Sequence, residues 1–522
     1  MIIGILAVAF AADETDLVPS KVVPAADTTA VVGPLLPGGY VDYITAINRM
    51  RSKGVDQNNN GDRLLLSVWN GAEATKLQKE CFARELGLHF GKGPQFIPLA
   101  EWMKREGVED FKLTKAVEEL FNPRSVGFDR SPFKAAEQPH LRAWLNENRE
   151  AMAVASQAVR LPRWYAPLAP QREHPQLILE MGLPAVSVVR DVSKAFAVRA
   201  SFYIASGKWD KAFDDVDTLH LLAAKADVHS EFIETLISYT IANAAACLEV
   251  QAIRSGNVPK ELMRKRLDGL NKQPDLVPTD VVLDRMSRWT TLNAAAHALA
   301  GGKDVLKGQD EEQPSLASAL KELLRSAGEA VIDQNEALRV VNRHYDELVA
   351  AMRNPDRDAG MAAEYRIERT AKGPWKEGEI LPAELSGDAA KDLGRRCGHI
   401  IFATLTPDFD VHRRARLEAL IHRRLAKGAL AISIYRATEN RWPDKLADLA
   451  ALWPADEHKD EYGPFQYRVD GAQVRLYSIG WNREDDKGVY DVSRGLRAKE
   501  GGGVIYPPDD VGFVLKSDDV GK

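Results

Sequence analysis

Apolar residues recur every three or four positions along most of this chain, which is the spacing of amphipathic α-helices. In the stretch YVDYITAINRMRSKG, Tyr43, Ile44, Ile47 and Met50 fall on one stripe, and Gly54 suits the end of the helix. Comparable stretches cover 74–87, 112–121, 140–158, 187–206, 209–226, 230–254, 279–300, 315–328, 330–353 and 411–437. The pattern therefore predicts a mainly α-helical protein.

One segment, RASFYIASGKWDKAFDDVDTLHLLAAKA, has the pattern of a helical hairpin from a repeat protein. Gly207 is placed to end the first helix, and Trp209 and Ala212 are placed to pack the second. Because a solenoid needs about three such units and only one convincing copy is present, we interpret the segment as an ordinary antiparallel pair. Clusters of Pro, Gly and charge predict linkers at 301–315 and 353–388.

The last part of the chain has a different pattern. PFQYRVDGAQVRLYSIGW has Tyr, Val, Leu and Ile at near-alternate positions around Asp470 and Gly471, which predicts a β-hairpin, and VGFVL adds a short strand. We expect an irregular body of helical hairpins over residues 40–410. A small α+β module led by a long helix follows over 411–522.

The N-terminus reads MIIGILAVAFAADETD, in which residues 2–12 are apolar or small. Such a run is about half the ~20 residues that cross a bilayer, but it fits the core of a signal peptide. Ala9 and Ala11 occupy the −3 and −1 positions of a cut before Ala12. We expect a signal peptide at 1–11, an extended leader at 12–39 and a periplasmic or secreted protein. A buried N-terminal strand is the alternative, because no Lys or Arg precedes Ile2.

Composition and charge narrow the choice of partners. The 522 residues carry a formal net charge of −6, and no basic stripe with interleaved aromatic residues is present, so we expect no nucleic-acid partner and no transmembrane helix. Cys81, Cys247 and Cys397 lie far apart and allow at most one disulfide. Their spacing also argues against a structural zinc site.

The stretch GVDQNNNGDRLLLS, residues 54–67, resembles a calcium loop because Asp56, Asn58 and Asn60 fall at EF-hand ligand positions. An EF-hand needs a bidentate carboxylate at its twelfth position, which here is Ser67, and its usually apolar eighth position is Arg63. We therefore interpret the stretch as a polar connection in which Asp56 or an Asn caps the next helix.

A second acidic loop is a better candidate for calcium. Asn482, Glu484, Asp485, Asp486 and Asp491 concentrate oxygen ligands within ten residues. Crowded carboxylates repel one another unless a cation neutralises them, and hard cations take oxygen ligands. We predict that Asn482, Asp485, Asp486 and Asp491 bind calcium, and that Asp509 and Asp510 complete the site. The alternative is a solvated acidic turn relieved by Arg483 and Lys487.

A set of positions in this region resembles the globular head of the major pseudopilin of type II secretion systems. The matching residues are Tyr435, Arg441, Trp442, Pro443, Leu446, Leu449, Gly463, Tyr467, Tyr477, Ser478, Gly480, Asp485 and Asp486. The resemblance covers roughly 418–515, and it implies a calcium ion in the loop after the hairpin. Glu461 and Tyr462 replace the family's Asp of the middle motif. The long apolar N-terminal helix of that family is also missing, so pilus assembly is not implied.

The helical body, including VIDQNEALRVVNRHYDELVAAM, resembles large exported proteins of planctomycete bacteria that commonly end in the same module. That resemblance implies export and architecture but no activity. We therefore expect a structural or interaction protein of the cell envelope that binds a protein partner.

An enzyme is the alternative reading, although no HExxH, GxSxG, P-loop or GxGxxG motif is present. Cys397 and His399 suggest a thiol nucleophile, but their apolar flank favours a buried cysteine. His412 and His422 are expected on a basic helix face whose arginines pair with acids of the body or with an anionic surface. The alternatives left open are a hydrolase with its site between helices and a ligand-binding module.

Overall fold

A computed structural model of the chain is mainly helical, with a small α+β region at the C-terminal end, as predicted. It describes residues 19–121, 128, 131–171, 177–178, 181, 184–226, 232–301, 332–354, 356–372, 388–407, 409–489, 497–499, 503–505 and 509–516. The predicted signal peptide at 1–11 and the predicted helix at 315–328 lie outside these residues.

The helices have the following bounds: α1 Tyr43–Arg51, α2 Gly61–Leu66, α3 Lys76–Leu86, α4 Leu99–Arg105, α5 Phe111–Glu118, α6 Pro139–Glu147, α7 Arg149–Ala158, α8 Pro184–Ala205, α9 Trp209–Ala226, α10 Phe232–Arg254, α11 Lys260–Asn271, α12 Thr279–Val282, α13 Arg288–Gly301, α14 Gln334–Met352, α15 Arg357–Lys372, α16 Ala389–Leu405 and α17 Phe409–Glu439. A π-helical turn, Leu283–Ser287, joins α12 to α13. Short 3₁₀ helices cover Glu119–Phe121, Leu446–Leu449 and Ala455–Glu457.

The strands are short and belong to the C-terminal region: β1 Lys459–Asp460, β2 Gly463–Pro464, β3 Gln466–Asp470, β4 Gln473–Ser478, β5 Arg497–Lys499, β6 Gly503–Ile505 and β7 Val511–Lys516. Strands β3, β4 and β7 form an antiparallel sheet with β4 in the centre. The hairpin predicted around Gly471 is confirmed, and so is the strand predicted from VGFVL. The register places Ser478 opposite Val511, so the loop after β4 lies beside the residues that precede β7.

Local sequence signals account for several helix ends. The Thr75 hydroxyl accepts a hydrogen bond from the Gln78 N–H, and the Gln78 side chain bonds back to the Thr75 N–H, which forms a capping box for α3. The same helix ends at Gly87, whose φ of 60° lies in the left-handed region. Likewise Gly207, with φ of 65°, separates α8 from α9, and Ala212 is fully buried, as the hairpin interpretation predicted.

Two buried clusters of apolar side chains hold the helices together. The larger one joins α2–α11 to α17, and it also contains Trp453, Leu476 and Phe513 of the C-terminal module. The smaller one joins the N-terminal segment and α1 to helices α13–α16. Helix α10 is long and apolar enough to span a bilayer by length and composition, but 78% of its apolar window is buried inside the fold. Burial of that kind is typical of a core helix.

The described part of the predicted leader, residues 19–39, is attached to helix α14. The amide of Asn342 donates to the Thr28 carbonyl at 2.7 Å, and the Asn335 side chain accepts from the Val23 N–H at 2.7 Å. The Tyr43 hydroxyl of α1 donates to the Thr29 carbonyl at 2.7 Å. These bonds satisfy backbone groups of a segment whose own pairing is limited to a short antiparallel bridge between Leu35 and Val41 among the described residues.

Two predictions about secondary structure are wrong. The single helix expected at 140–158 is divided at Asn148, whose buried side chain accepts from the Ile97 N–H at 2.7 Å and donates to the Ile97 carbonyl at 3.1 Å. A linker is predicted at 353–388, but α15 occupies 357–372, while 373–387 lie outside the described residues. This helix packs so closely on α14 that a Cβ at Gly360 would lie 2.6 Å from the Ala351 carbonyl. Tertiary contacts outweighed the local composition in both places.

Candidate functional site

The acidic loop predicted to bind calcium begins directly after β4 and passes beside Asp509 and Asp510. Gly480 opens it with φ of 68°, and a Cβ there would collide with the backbone oxygen and side chain of Asp509. The Asp509 carboxylate accepts hydrogen bonds from the N–H groups of Trp481, at 2.9 Å, and Asn482, at 3.2 Å. Glycine is thus required for the close approach that brings the loop against Asp509.

The four residues predicted as metal ligands are placed differently from one another. Asn482 donates through its amide to the Asp486 carboxylate at 2.8 Å, so these two side chains are together. Asp485 instead accepts from Arg468 at 2.7 Å, from the Tyr477 hydroxyl at 2.9 Å and from the Lys487 N–H at 2.9 Å. Asp491 lies outside the described residues.

The bonds to Asp485 fix its charge. Burial would raise the pKa of this carboxyl, but the Tyr477 hydroxyl, the Lys487 N–H and the charge of Arg468 together hold it below its ordinary value. Asp485 therefore has three protein partners, and two of them, Arg468 and Tyr477, are side chains of the hairpin strands β3 and β4.

Asp510 is the most unusual carboxylate of this region. Its side chain is 1% exposed, and one oxygen accepts from the Gly488 N–H at 2.7 Å. The other oxygen, Oδ1, is buried and has no hydrogen-bond partner among the described residues. Burial, with the charges of Asp486 and Asp485, raises the pKa of Asp510 to about 6, although the N–H groups of Gly488 and Asp486 act in the opposite direction. A buried carboxylate oxygen without a partner is costly, so this atom needs an explanation.

Asp509 belongs to the same electrostatic group. Burial raises its pKa to about 6 despite its bonds to Trp481 and Asn482, and the charges of Asp486 and Glu418 act in the same direction. Asp486 thus raises the pKa of both Asp509 and Asp510, as expected where carboxylates crowd together.

The donor set suits a hard cation, although the side chains are not arranged around one. Within the described residues, no three His, Cys, Asp or Glu side chains are already placed to hold a metal ion. Asp486 is bonded to Asn482, and Asp509 is bonded to backbone N–H groups. The free oxygen of Asp510 fits a divalent ion, since calcium takes carboxylate and amide oxygens.

In the first Asx-rich loop, by contrast, the Asp and Asn side chains already bond protein groups. The Asp56 carboxylate accepts from the N–H groups of Asn58, at 2.7 Å, and Asn59, at 3.1 Å. Asn60 caps α2 by accepting from the Asp62 N–H, and its side chain also bonds the backbone of Tyr165 at 3.0 and 2.9 Å. The interpretation of this stretch as a capped connection is confirmed.

The candidate thiol nucleophile lies inside the protein. Cys397, on α16, is fully buried, and burial raises its pKa to about 12. His399 is not directed at it; its Nδ1 lies 2.8 Å from Nε2 of His344, on α14. Burial lowers the pKa of each of these histidines to about 4. All three cysteines of the chain, Cys81, Cys247 and Cys397, are free thiols.

The expectation that His412 and His422 lie on a basic helix face is wrong, because both are fully buried. Nε2 of His412 is 2.6 Å from the Thr235 hydroxyl, and its Nδ1 is 3.1 Å from the Thr279 hydroxyl. Burial lowers the pKa of His412 to about 3 and that of His422 to about 4. Both histidines therefore act as neutral core residues at physiological pH.

The arginines of this helix do pair with acids, as expected. Arg413 bonds Glu364 of α15 at 2.9 Å, and Arg414 bonds Asp410 at 2.7 Å. The Arg414 guanidinium also lies 3.9 Å from the centroid of the Trp481 ring. Trp481 thereby connects the acidic loop to the N-terminal half of α17.

Comparisons with known proteins give no further assignment: no protein-family model, no curated protein and no solved structure matches this chain.

Proposed function

We propose that this protein is an exported structural or interaction protein of the cell envelope, whose helical body docks a protein partner. Its C-terminal module is held rigid by a divalent cation, which we take to be calcium. Export is proposed from the N-terminal pattern and from the resemblances given above, and docking is the role we propose for the helical body. The cation is supported by one observation, the buried Asp510 oxygen that has no hydrogen-bond partner among the described residues.

Calcium would relieve an electrostatic cost at the base of the acidic loop. Asp486, Asp509 and Asp510 place three carboxylates in one electrostatic group, and burial raises the pKa of the last two. Asn482 contributes an amide oxygen in the same loop. An ion bound to these groups would neutralise the charge that burial penalises, which stabilises the folded state.

A rigid loop would also fix the module against the body. The loop carries Trp481, which packs on Arg414, while the neighbouring Arg413 is bonded to Glu364 of α15. Ordering the loop around an ion therefore affects contacts that reach α17, the long helix of the module, and through it α15 of the body. This supports a role in which the relative placement of module and body matters for docking.

The proposal predicts that calcium raises the melting temperature of the full chain. At a calcium concentration about 100 times the dissociation constant, the added stability is about 2.7 kcal/mol. Asp510→Asn should remove the increment, because the amide can still accept from the Gly488 N–H but no longer carries the charge. Differential scanning calorimetry with calcium and with a chelator measures both effects.

Glu484→Gln is the matched control, since Glu484 is exposed in the same loop and is not in the electrostatic group of Asp510. This variant should keep the calcium increment. Affinity capture from native envelope then tests docking, and the partner retained by the wild type should be lost with chelator and with Asp510→Asn. An unchanged melting temperature on adding calcium to the wild type would contradict the metal site.

A further inference from the structure

A cavity of about 370 Å³ lies between helices α9, α10, α11 and α17. None of its described lining residues belongs to the acidic loop. Its walls include apolar side chains from each of α9, α10 and α17, namely Leu221, Ala242 and Ala419. Both the size and the mixed lining are those of small-molecule sites, which combine apolar walls with a few polar groups.

The lining of the cavity includes a histidine that lies close to a buried carboxylate. His220 is 7% exposed, and its Nε2 lies 3.6 Å from Oε1 of Glu249, which is fully buried. Glu249 also pairs with Arg266, and Arg266 pairs with Asp217 at 2.5 Å. Burial would raise the pKa of Glu249, but the charges of Arg266 and His220 lower it overall.

A buried network of charges adds little to the stability of the folded state. A buried ion pair usually contributes less to stability than apolar residues of the same volume, because both charges lose their hydration. Here the network lies beside an imidazole that lines a cavity. That arrangement is useful if the imidazole contacts a ligand.

The rim of the cavity is positively charged. Arg160, Lys272 and Arg423 contribute three cations, while Asp217 is the sole carboxylate among the lining residues that the structure describes. Asp217 is already neutralised by Arg266, and Arg423 is shared with the 88%-exposed Asp275. The excess of positive charge favours an anion.

Gly269 lines the cavity at an exposed position of α11. A Cβ built on this helical residue meets no atom within 4 Å, and Gly269 is a lining residue. A larger side chain at this position would therefore enter open space and narrow the mouth without colliding with the protein.

We propose that this cavity binds a small organic anion, with a carboxylate or phosphate headgroup and an apolar body. The headgroup lies near Lys272, Arg160 and His220, and the apolar body packs on Leu221, Ala242 and Ala419. The site is independent of the calcium proposal, since it shares no residue with the acidic loop.

Isothermal titration calorimetry of the full chain with octanoate and with octyl phosphate tests the proposal, and 1-octanol is the neutral probe of matched length. We expect one anion per chain, bound at least about tenfold more tightly than 1-octanol. The anion with the higher affinity identifies the headgroup. Binding should weaken as the salt concentration rises, because the rim charges are partly screened.

Two variants and one control locate the ligand. Gly269→Leu should weaken binding at least about tenfold by filling the mouth, and Lys272→Gln should weaken it about three- to fivefold, the effect of one partly exposed charge. Lys265→Gln, an exposed cation on the same helix that does not line the cavity, should change nothing. Thermal melts confirm that each variant is folded. Absence of binding up to about 1 mM anion, equal affinity for 1-octanol, or full affinity in Gly269→Leu would overturn the proposal.

Discussion

Two loops of this protein are built from the same residue types, yet they leave their oxygens in different states. In the loop at 54–62, the Asp56 oxygens accept from Asn58 and Asn59, and Asn60 bonds to α2 and Tyr165. In the loop at 479–489 with its neighbours, Asp510 keeps one buried oxygen without a partner among the described residues. Content of Asp and Asn alone therefore does not identify an ion site.

The difference arises from where the backbone donors point. Asp56 and Asn60 form Asx turns, in which a side-chain oxygen accepts from N–H groups two or three residues further along the chain. Asp509 and Asp510 receive their N–H donors from a different segment, about 20 to 30 residues earlier, which is positioned by the pairing of β4 with β7. Local loops can satisfy themselves, whereas a carboxylate buried between segments depends on what the fold supplies.

The largest expected effect concerns the first loop. Asn60→Ala removes the cap of α2 and both bonds to the buried Tyr165 backbone, so we expect a loss of about 2–4 kcal/mol in the free energy of unfolding. The loss should be the same with calcium and with a chelator. Urea unfolding measures it, and Asn58→Ala, at an exposed position, should change stability by less than about 0.5 kcal/mol. A calcium-dependent effect of Asn60→Ala would break the comparison.

A smaller effect is expected at Asp510, and it depends on pH. Because its pKa is raised to about 6, the folded protein binds more protons than the unfolded chain between about pH 4 and 6, so stability falls as the pH rises through this window. Asp510→Asn removes that loss. With chelator present, the variant should match the wild type near pH 4 and exceed it by about 1–2 kcal/mol above pH 7.

Urea unfolding at the two pH values provides the measurement, and the difference between variant and wild type cancels the contribution of the buried histidines. Calcium should reduce or reverse the difference above pH 7, because only the wild type gains from the ion. A difference that does not change with pH would show that Asp510 is not the group that titrates.

The smallest effect tests the part of the acidic loop that already has its partners. Tyr477→Phe removes one hydrogen bond to Asp485, which should cost about 0.5–1.5 kcal/mol. Since Asp485 faces the hairpin, the calcium increment should persist in this variant. Loss of the increment in a thermal melt would place Asp485 among the ligands, as the sequence alone predicted.

Sequence patterns predicted the elements that are amphipathic along their own length. Helices α8, α9, α10 and α14 and the hairpin of β3 and β4 lie close to the ranges expected from periodicity. The turns at Gly207 and Gly471 were also predictable, because glycine is the residue that readily adopts the positive φ of such turns. Both glycines do have positive φ.

Other features could not be read from periodicity, because they depend on distant partners. Asn148 divides a continuous helical pattern by bonding Ile97, and Gly360 allows α15 to approach α14 within a stretch whose composition suggested a linker. His412 lies in a run of arginines, yet Thr235 and Thr279 enclose it. Polar residues of this kind have no local signature when their partners come from other helices.

The candidate sites divide in the same way. The acidic residues 482–486 stand out in the sequence, but the burial of Asp510 and the capture of Asp485 by Arg468 and Tyr477 do not. The cavity around His220 has no sequence motif at all, because its lining residues are spread along the chain from Arg160 to Arg423.

The sequence by itself determined that this protein is mainly helical, where most helices and the hairpin lie, and which loop gathers acids. Those properties depend on neighbours within a few residues, through hydrophobic periodicity and turn chemistry. Only the tertiary structure decided which charged and polar groups are buried and who their partners are. Burial and pairing are set by segments that come together on folding. The free-energy cost of a buried charge depends on whether those segments supply it with a partner.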